Sequence, residues 1–180
     1  FGAVDASKSN CERFLKGGAS LVVYPGGLDE ANLEHKVEGV EPRVILRTRT
    51  GFIRLALKYN TPVVPVFTFG ELDAVDAVNL LPEWLSKWMQ KTFRMSTTIF
   101  LGRFCTFIPY RVPFNMCIGR EIPVKHCPDG TPDGEIDAEV VRVHALYKAE
   151  LKNIYDSNKK LYGYENRELI FLCDQEKDMR

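Results

Sequence analysis

The chain has 180 residues, of which 45% are hydrophobic and 27% charged, a composition typical of one folded domain and unlike a disordered chain. Its 24 basic and 24 acidic residues cancel, so no overall field would gather nucleic acid, and a membrane would have to be met by a local patch. No apolar stretch reaches the roughly 18 residues of a membrane-spanning helix. The five scattered cysteines form no CxxC pair, which excludes the common zinc motifs and favours free thiols.

The first part of the chain predicts alternating helices and strands in a single domain over residues 1–180. A helix over residues 5–16 precedes the apolar run LVVY, which predicts a strand over residues 19–24 that is buried on both faces. Residues 31–43 are polar and predict a surface connection. A second helix begins at Gly51, and PVVPVF over residues 62–67 predicts a second buried strand; the inner face of that helix is predicted to hold Phe52, Leu55, Ala56 and Tyr59. This order predicts an α/β domain on a mostly parallel sheet flanked by helices.

The later part of the chain is less regular. An amphipathic helix is predicted over residues 82–93. Its apolar stripe consists of Trp84, Trp88, Met89 and Phe93. This stripe fits either packing in the core or a helix that lies in a lipid interface. Strand-like pieces follow between residues 97 and 124, and residues 127–134 form a turn-rich loop. A long helix over about residues 135–160 has these residues at helical spacing: Val140, Val143, His144, Tyr147, Leu151 and Ile154.

Two features could bind a ligand. Gly26 and Gly27 follow the predicted strand over residues 19–24, where free backbone N–H groups could hold a phosphate or an oxyanion, although a tight structural turn has the same composition. The basic series runs through PRVILRTRTGFIRLALK, and Arg47 and Arg49 would project on one side of an extended segment before the Gly51 helix. That helix N-terminus with its arginines fits either a phosphorylated ligand or a solvated cationic face.

The three histidines show no evident general base. His35 lies in a polar loop, His126 in a turn and His144 on the inner face of the long helix. None is close to a serine in a nucleophile elbow, and no two have metal-ligand spacing. His144 fits a core position best.

Three blocks of the sequence are distinctive: GAVDASKSNCERFLKGGASLVVYPGGLDEA, RTRTGFIRLALKYNTPVVPVFTFGE and IPYRVPFNMCIGREIPV. In this order they resemble the diacylglycerol acyltransferase family of the second type, which also includes monoacylglycerol and wax-ester acyltransferases. The resemblance covers nearly the whole chain. It implies a glycerolipid-acyltransferase-like fold that is incomplete at the N-terminus, because the family's His-Pro-His-Gly motif is expected upstream of Phe1.

The resemblance also assigns residues to the site. It places Gly26, Gly27 and the supporting acid Glu30 in the family's strand-end turn, with Asp29 at a variable position. The other matched positions imply contacts with substrate: Arg49, Gly51 and Arg54 in the Arg-x-Gly-Phe-x-Arg segment, Pro65 in the Val-Pro-Val strand and Arg111 in the later Pro-Tyr-Arg. No metal is implied, and the catalytic base would be the upstream histidine.

The function implied is acyl-CoA-dependent O-acyl transfer to a neutral lipid. The main expectation is that diacylglycerol is the acceptor and triacylglycerol the product. Acyl-CoA is the co-substrate and no further cofactor is implied. The resemblance leaves open whether the protein forms a homo-oligomer. The implied location is the endoplasmic-reticulum membrane, facing the cytosol, or the lipid-droplet surface. Two alternatives are a lysophospholipid or glycerol-phosphate acyltransferase and a non-catalytic lipid-binding relative. Against the first, Pro-Gly-Gly-Leu-Asp replaces the superfamily's Pro-Glu-Gly-Thr-Arg turn, and the lost arginine favours a neutral acceptor.

Overall fold

The computed structural model describes residue 5 and residues 7–25, 44–47, 49–79 and 98–172. The helices in these ranges are α1 (Lys8–Lys16), α2 (Gly51–Lys58) and α3 (Asp133–Asn158), with a 3-10 turn at Arg103–Cys105. The strands are β1 (Val44–Arg47), β2 (Val66–Phe69), β3 (Asp76–Asn79), β4 (Thr98–Leu101), β5 (Asn115–Ile118) and β6 (Leu169–Leu172). The predicted connection over residues 31–43 and the predicted helix over residues 82–93 lie outside the described residues.

Helix α1 confirms the first predicted helix, although it begins at Lys8. It ends at the predicted glycine pair: Gly18 adopts a φ of 73°, and its amide donates to the Leu15 carbonyl at 3.0 Å. A left-handed residue just after a helix satisfies carbonyls that the last turn leaves free, which is why glycine is favoured there.

Residues 19–24 do not form the buried strand that the sequence predicts. They lie in no strand, and Val22 is 88% exposed. A strand buried on both faces needs paired neighbours in a sheet covered by other elements, and none of the strand pairs formed by the described residues includes this segment. The apolar composition of LVVY was therefore not enough to make a strand.

Helix α2 begins at Gly51 as predicted, but its inner face is rotated from the one expected. Ile53, Ala56 and Leu57 are the buried residues, whereas Phe52 and Leu55 are only half-buried. Spacing of three and four residues puts the buried side chains on one helical face. That face packs with Val63, Ile122, Cys127, Val140 and Val143 in one hydrophobic cluster.

The described strands form three two-stranded sheets. β1 pairs with β6 in parallel, whereas β2 pairs with β5 and β3 pairs with β4 in antiparallel fashion. The fold is therefore a mixed arrangement of helices and short sheets. The predicted mostly parallel sheet is not confirmed, because β5 runs antiparallel to β2 and β4 runs antiparallel to β3.

Strand β2 overlaps the predicted strand over residues 62–67 but is buried on only one face. Phe67 and Phe69 are buried, whereas Val64 and Val66 are exposed. The alternation arises because one face of the β2–β5 sheet packs on α3, where Phe67 and Phe69 join Leu151, Ile154 and Tyr155. The predicted buried strand is therefore confirmed only on the face that packs on α3.

Helix α3 confirms the predicted long helix and supports both cores. Val140 and Val143 belong to the cluster around α2, whereas Leu151, Ile154 and Tyr155 belong to the cluster around β2. The second cluster is largely aromatic: the Phe69 ring stacks on Tyr155 at a centroid distance of 5.8 Å and meets Tyr164 edge-on at 5.2 Å. One long amphipathic helix thus joins the two halves of the described fold.

Candidate functional site

The glycine turn predicted at the strand end lies outside the described residues. This holds for Gly26, Gly27 and Glu30, so their assignment to the acyl-transfer site stays a prediction. The described part of the predicted site consists of Arg49, Gly51, Arg54, Pro65 and Arg111.

Three of these residues come together where α2 begins. Arg49 and Arg54 are exposed and flank Gly51, the first residue of the helix. Gly51 has open space around the position of a Cβ atom. Free amides and the positive end of the helix dipole favour anions at such a terminus. One exposed arginine before the helix and one in its first turn therefore make this end of α2 suitable for a phosphate-bearing ligand.

Arg54 already has an anionic partner in the structure. Its Nη2 donates a hydrogen bond to Oδ1 of Asp137, in the first turns of α3. The two side chains are 51% and 59% exposed, and exposed ion pairs of this kind contribute only about 0–1 kcal/mol. A ligand phosphate could replace the Asp137 carboxylate at little cost.

Pro65 and Arg111 lie in different surroundings. Pro65 is fully buried, and its carbonyl accepts a hydrogen bond from the Gly119 amide at 2.8 Å. It therefore fixes the packing of the chain just before β2. Arg111 is exposed in the segment that leads into β5. The exposed side chain of Arg111 can contact a ligand directly. The buried side chain of Pro65 cannot, and it affects the site only by stabilising the fold.

Sequence reasoning missed a polar network at the end of β2. Tyr164 Oη accepts a hydrogen bond from the Gly70 amide at 3.0 Å and donates one to Asp73 at 2.9 Å. Arg167 Nη2 donates to the other oxygen of Asp73 at 2.6 Å, and its guanidinium lies 4.2 Å from the centre of the Tyr164 ring. The network connects the turn after β2 to the segment that follows α3. No local pattern in the sequence predicts these contacts.

The charges of this network are set by burial and pairing. Burial raises the pKa of Asp73, but the hydrogen bonds from Arg167 and Tyr164 more than offset it, so the pKa lies below its usual range. Burial is also the main reason that the pKa of Tyr164 rises to about 12. At neutral pH the network therefore holds a carboxylate, a guanidinium and a neutral phenol. It is a structural clamp rather than an acid–base pair.

The two described histidines have structural surroundings. His126 Nδ1 lies 3.2 Å from the Leu57 carbonyl at the end of α2. His144 is half-buried on the predicted inner face of α3. Within the described ranges no group of side chains could hold a metal ion. In the same ranges no helix is both long and apolar enough to cross a membrane.

Comparison with known proteins points to one enzyme class. A family model described as diacylglycerol acyltransferase matches residues 1–172. The chain is 32% identical over 178 residues to diacylglycerol O-acyltransferase 1 of Eremothecium gossypii, with 93% of this chain and 37% of that protein covered. It is 31% identical over 184 residues to acyl-CoA wax alcohol acyltransferase 2 of Mus musculus, with 95% and 53% covered. Against 2-acylglycerol O-acyltransferase 1 of Bos taurus the identity is 31% over 178 residues, with 92% and 51% covered. No solved structure matches the chain.

All three relatives are acyltransferases by name, which defines the class to which the chain is related. The family match covers nearly every residue, so the chain belongs to the diacylglycerol acyltransferase family. The resemblance carried by the three sequence blocks is thereby confirmed. The chain spans between 37% and 53% of the length of these relatives.

Proposed function

We propose that this chain is part of an acyl-CoA-dependent O-acyltransferase that makes neutral lipid. The observation that carries the proposal is the diacylglycerol acyltransferase match over residues 1–172. We take diacylglycerol as the acceptor and triacylglycerol as the product, because two relatives at 32% identity bear the name diacylglycerol O-acyltransferase. The wax alcohol and 2-acylglycerol relatives make acceptor choice the first property to measure.

The proposed reaction transfers the acyl group in one displacement. A histidine in a His-Pro-His-Gly motif outside residues 1–180 removes the proton of the acceptor hydroxyl, and the oxygen attacks the thioester carbonyl. The tetrahedral intermediate collapses, the carbon–sulfur bond breaks, and the coenzyme A thiolate leaves and takes up the proton. Gly26 and Gly27 supply backbone N–H groups near the developing oxyanion, and Glu30 orients the acceptor or the base.

Coenzyme A carries phosphates, and we assign their binding to Arg49 and Arg54 at the start of α2. The exposed ion pair of Arg54 with Asp137 supports this assignment, because it shows that the guanidinium can hold an oxyanion there. Charge-assisted hydrogen bonds contribute about 1.5–3 kcal/mol each. Loss of both arginines should therefore raise the KM for acyl-CoA at least about tenfold with a smaller change in kcat.

The test uses the full-length protein and varies acyl-CoA and diacylglycerol separately. The double variant Arg49→Ala/Arg54→Ala should raise the KM for acyl-CoA and leave the KM for diacylglycerol near its original value. Asp137→Asn removes the competing carboxylate, so it should leave or lower the KM for acyl-CoA. Arg13→Ala, on the exposed face of α1, is the matched control. An unchanged KM for acyl-CoA in the double variant would remove both arginines from the binding site.

The remaining proposals concern location, assembly and the complete fold. We place the protein at the endoplasmic-reticulum membrane, facing the cytosol, or on lipid droplets, because a neutral-lipid acceptor is found there; imaging of a tagged full-length protein tests this. We also propose that the parallel β1–β6 pair belongs to a larger sheet of the glycerolipid-acyltransferase type. Homo-oligomers would appear in light scattering of the detergent-solubilised protein.

A further inference from the structure

A short loop of the structure concentrates large apolar side chains at the surface. We name residues 103–110, between β4 and β5, the aromatic loop. Phe104 is 81% exposed, Phe107 79% and Ile108 58%. Single exposed apolar residues are common on proteins, whereas a contiguous exposed group usually marks an interaction site. Three such residues within one turn therefore need a partner.

The backbone of the aromatic loop holds these side chains in place. The Gly102 amide donates to the Thr106 carbonyl and the Arg103 amide to the Ile108 carbonyl, both at 2.7 Å. The Tyr110 amide donates to Ala74 at 2.8 Å, which anchors the end of the loop beside β3. The loop is therefore fastened on both sides while the apolar side chains at its tip stay exposed.

The loop keeps its shape against a local backbone cost. Phe104 has a φ of 58° and the adjacent Cys105 a φ of 55°, a region that costs non-glycine residues roughly 1–2 kcal/mol each. No burial of Phe104 compensates for that cost in the described structure. The hydrogen bonds of the loop must therefore sustain this conformation, and residues held in such conformations cluster at functional sites.

The sequence around the loop is basic, although the Tyr110 hydroxyl at the end of the loop donates to the carboxylate of Asp76 at 2.8 Å. Residues 101–120 contain no Asp or Glu and have three arginines, Arg103, Arg111 and Arg120, although the whole chain is formally neutral. The Arg103 guanidinium lies 5.3 Å from the centre of the Phe104 ring. Apolar tips flanked by arginines are typical of segments that lie in the interface of a bilayer, where each arginine meets lipid phosphates.

The hydrogen bonding of the loop also suits a less polar medium. Four amides, those of Gly102, Arg103, Thr106 and Ile108, have partners within the loop. The Thr106 hydroxyl donates to the Arg103 carbonyl at 2.8 Å. Moving a paired amide out of water costs much less than moving a free one, so these four amides can enter the lipid interface at little cost.

We propose that the aromatic loop docks on the interface of a bilayer that contains anionic lipid. Phe104, Phe107 and Ile108 enter the acyl-chain boundary, and Arg103 and Arg111 bind lipid phosphates. The inference rests on the membrane part of the proposed function and names the surface of this chain that meets the bilayer. It differs from the predicted tryptophan helix over residues 82–93.

Vesicle co-sedimentation of the purified 180-residue chain tests this docking. The parent chain should bind vesicles of phosphatidylcholine with phosphatidylserine more tightly than vesicles of phosphatidylcholine alone. Phe104→Ser/Phe107→Ser should lower the partition coefficient at least about tenfold, because burial of even part of two phenyl rings is lost. Arg103→Gln should weaken binding only to the anionic vesicles. Leu161→Ser, at a position 74% exposed on another part of the chain, is the matched control.

A second readout guards against misfolded variants. Phe107→Trp should add fluorescence that brominated lipid quenches, relative to the parent chain, and circular dichroism checks the fold of each variant. Equal partitioning of the parent and the double serine variant overturns the proposal. So does self-association that the serine substitutions abolish while vesicles bind neither form, since that result assigns the loop to a protein contact.

The docking result is independent of the proposed chemistry. Acyl transfer by the full-length protein in detergent micelles needs no vesicle, so its absence counts against the proposed function alone. Loss of vesicle binding with acyl transfer retained is expected of the serine variants. Vesicle binding unaffected by them counts against the aromatic loop alone.

Discussion

Gly70 combines two constraints that other glycines of this chain show separately. It follows β2 with a φ of 95°, and a Cβ atom added there would lie 2.2 Å from the carbonyl oxygen of Pro113. Gly130 has a similar φ of 99° and nothing within 4 Å of the added atom. Gly102 has a negative φ of −124°, but its added Cβ would lie 2.0 Å from the Ile108 carbonyl oxygen. Three alanine variants can therefore separate the backbone cost from the steric cost.

The expected losses of stability follow from the backbone cost and the steric cost at each glycine. Gly130→Ala should lower the free energy of unfolding by about 1–2 kcal/mol, the cost of a left-handed alanine. Gly102→Ala should lower it by about 1–3 kcal/mol, because the backbone must move to relieve the overlap. Gly70→Ala carries both costs and should lose roughly 2–5 kcal/mol. For a domain of this size, about 1 kcal/mol corresponds to a melting temperature lower by roughly 2–4 °C.

Urea unfolding, monitored by circular dichroism, measures the free energy of unfolding of the three variants. The comparison requires that the dependence of this free energy on urea concentration is unchanged. Gly70→Ala should be the least stable variant, and its loss should approach the sum of the other two. If Gly70→Ala and Gly130→Ala are equally stable, the close approach between the end of β2 and Pro113 does not exist in solution. If Gly130→Ala is as stable as the parent chain, the backbone term is absent and only the steric reasoning survives.

Two further predictions concern polar groups. Tyr164→Phe removes the hydroxyl that joins the Gly70 amide to Asp73 and should lower the free energy of unfolding by about 1–3 kcal/mol; Tyr24→Phe, at an exposed position, should change it by less than about 0.5 kcal/mol, and equal effects in urea unfolding would contradict the clamp. The hydrogen bond from Arg142 lowers the pKa of Glu139 from 4.5 to about 2. The resulting stability is present above pH 4.5 and is lost as the pH falls toward 2. Glu139→Gln should therefore reduce the loss of stability between pH 5 and pH 2 by roughly 1–2 kcal/mol, and an unchanged pH profile of thermal unfolding would show that the pair forms no such bond.

Local patterns predicted the three helices of the described residues well, because helical spacing is a local property. The stripe of Val140, Val143, Leu151 and Ile154 extends over about four turns of α3. The glycine pair after α1 ends that helix as expected. The partners of a strand are not encoded locally. LVVY and PVVPVF look alike in sequence, yet only the second pairs with another described strand, and it is covered on one face.

The candidate site divides in the same way. Arg49, Gly51 and Arg54 could be found from the sequence, because a helix N-terminus and its arginines are adjacent along the chain. The network of Asp73, Tyr164 and Arg167 could not be found in this way, because 91 residues separate Asp73 from Tyr164. Only the fold brings such residues together. The exposure of the aromatic loop was equally invisible, because its composition alone would also suit a core strand.

The C-terminal part of the chain completes structures begun near its start. β6 supplies the partner of β1, and Tyr164 holds the Gly70 turn from a position after α3. During synthesis the ribosome releases β1 and β2 long before these partners emerge, and domains fold as units once the necessary contacts are available. The pairing of β1 and the fastening of the Gly70 turn must therefore wait until translation has reached β6 and Tyr164. A premature stop after α3 would leave a product that contains most of the domain and yet exposes it to chaperones and proteases.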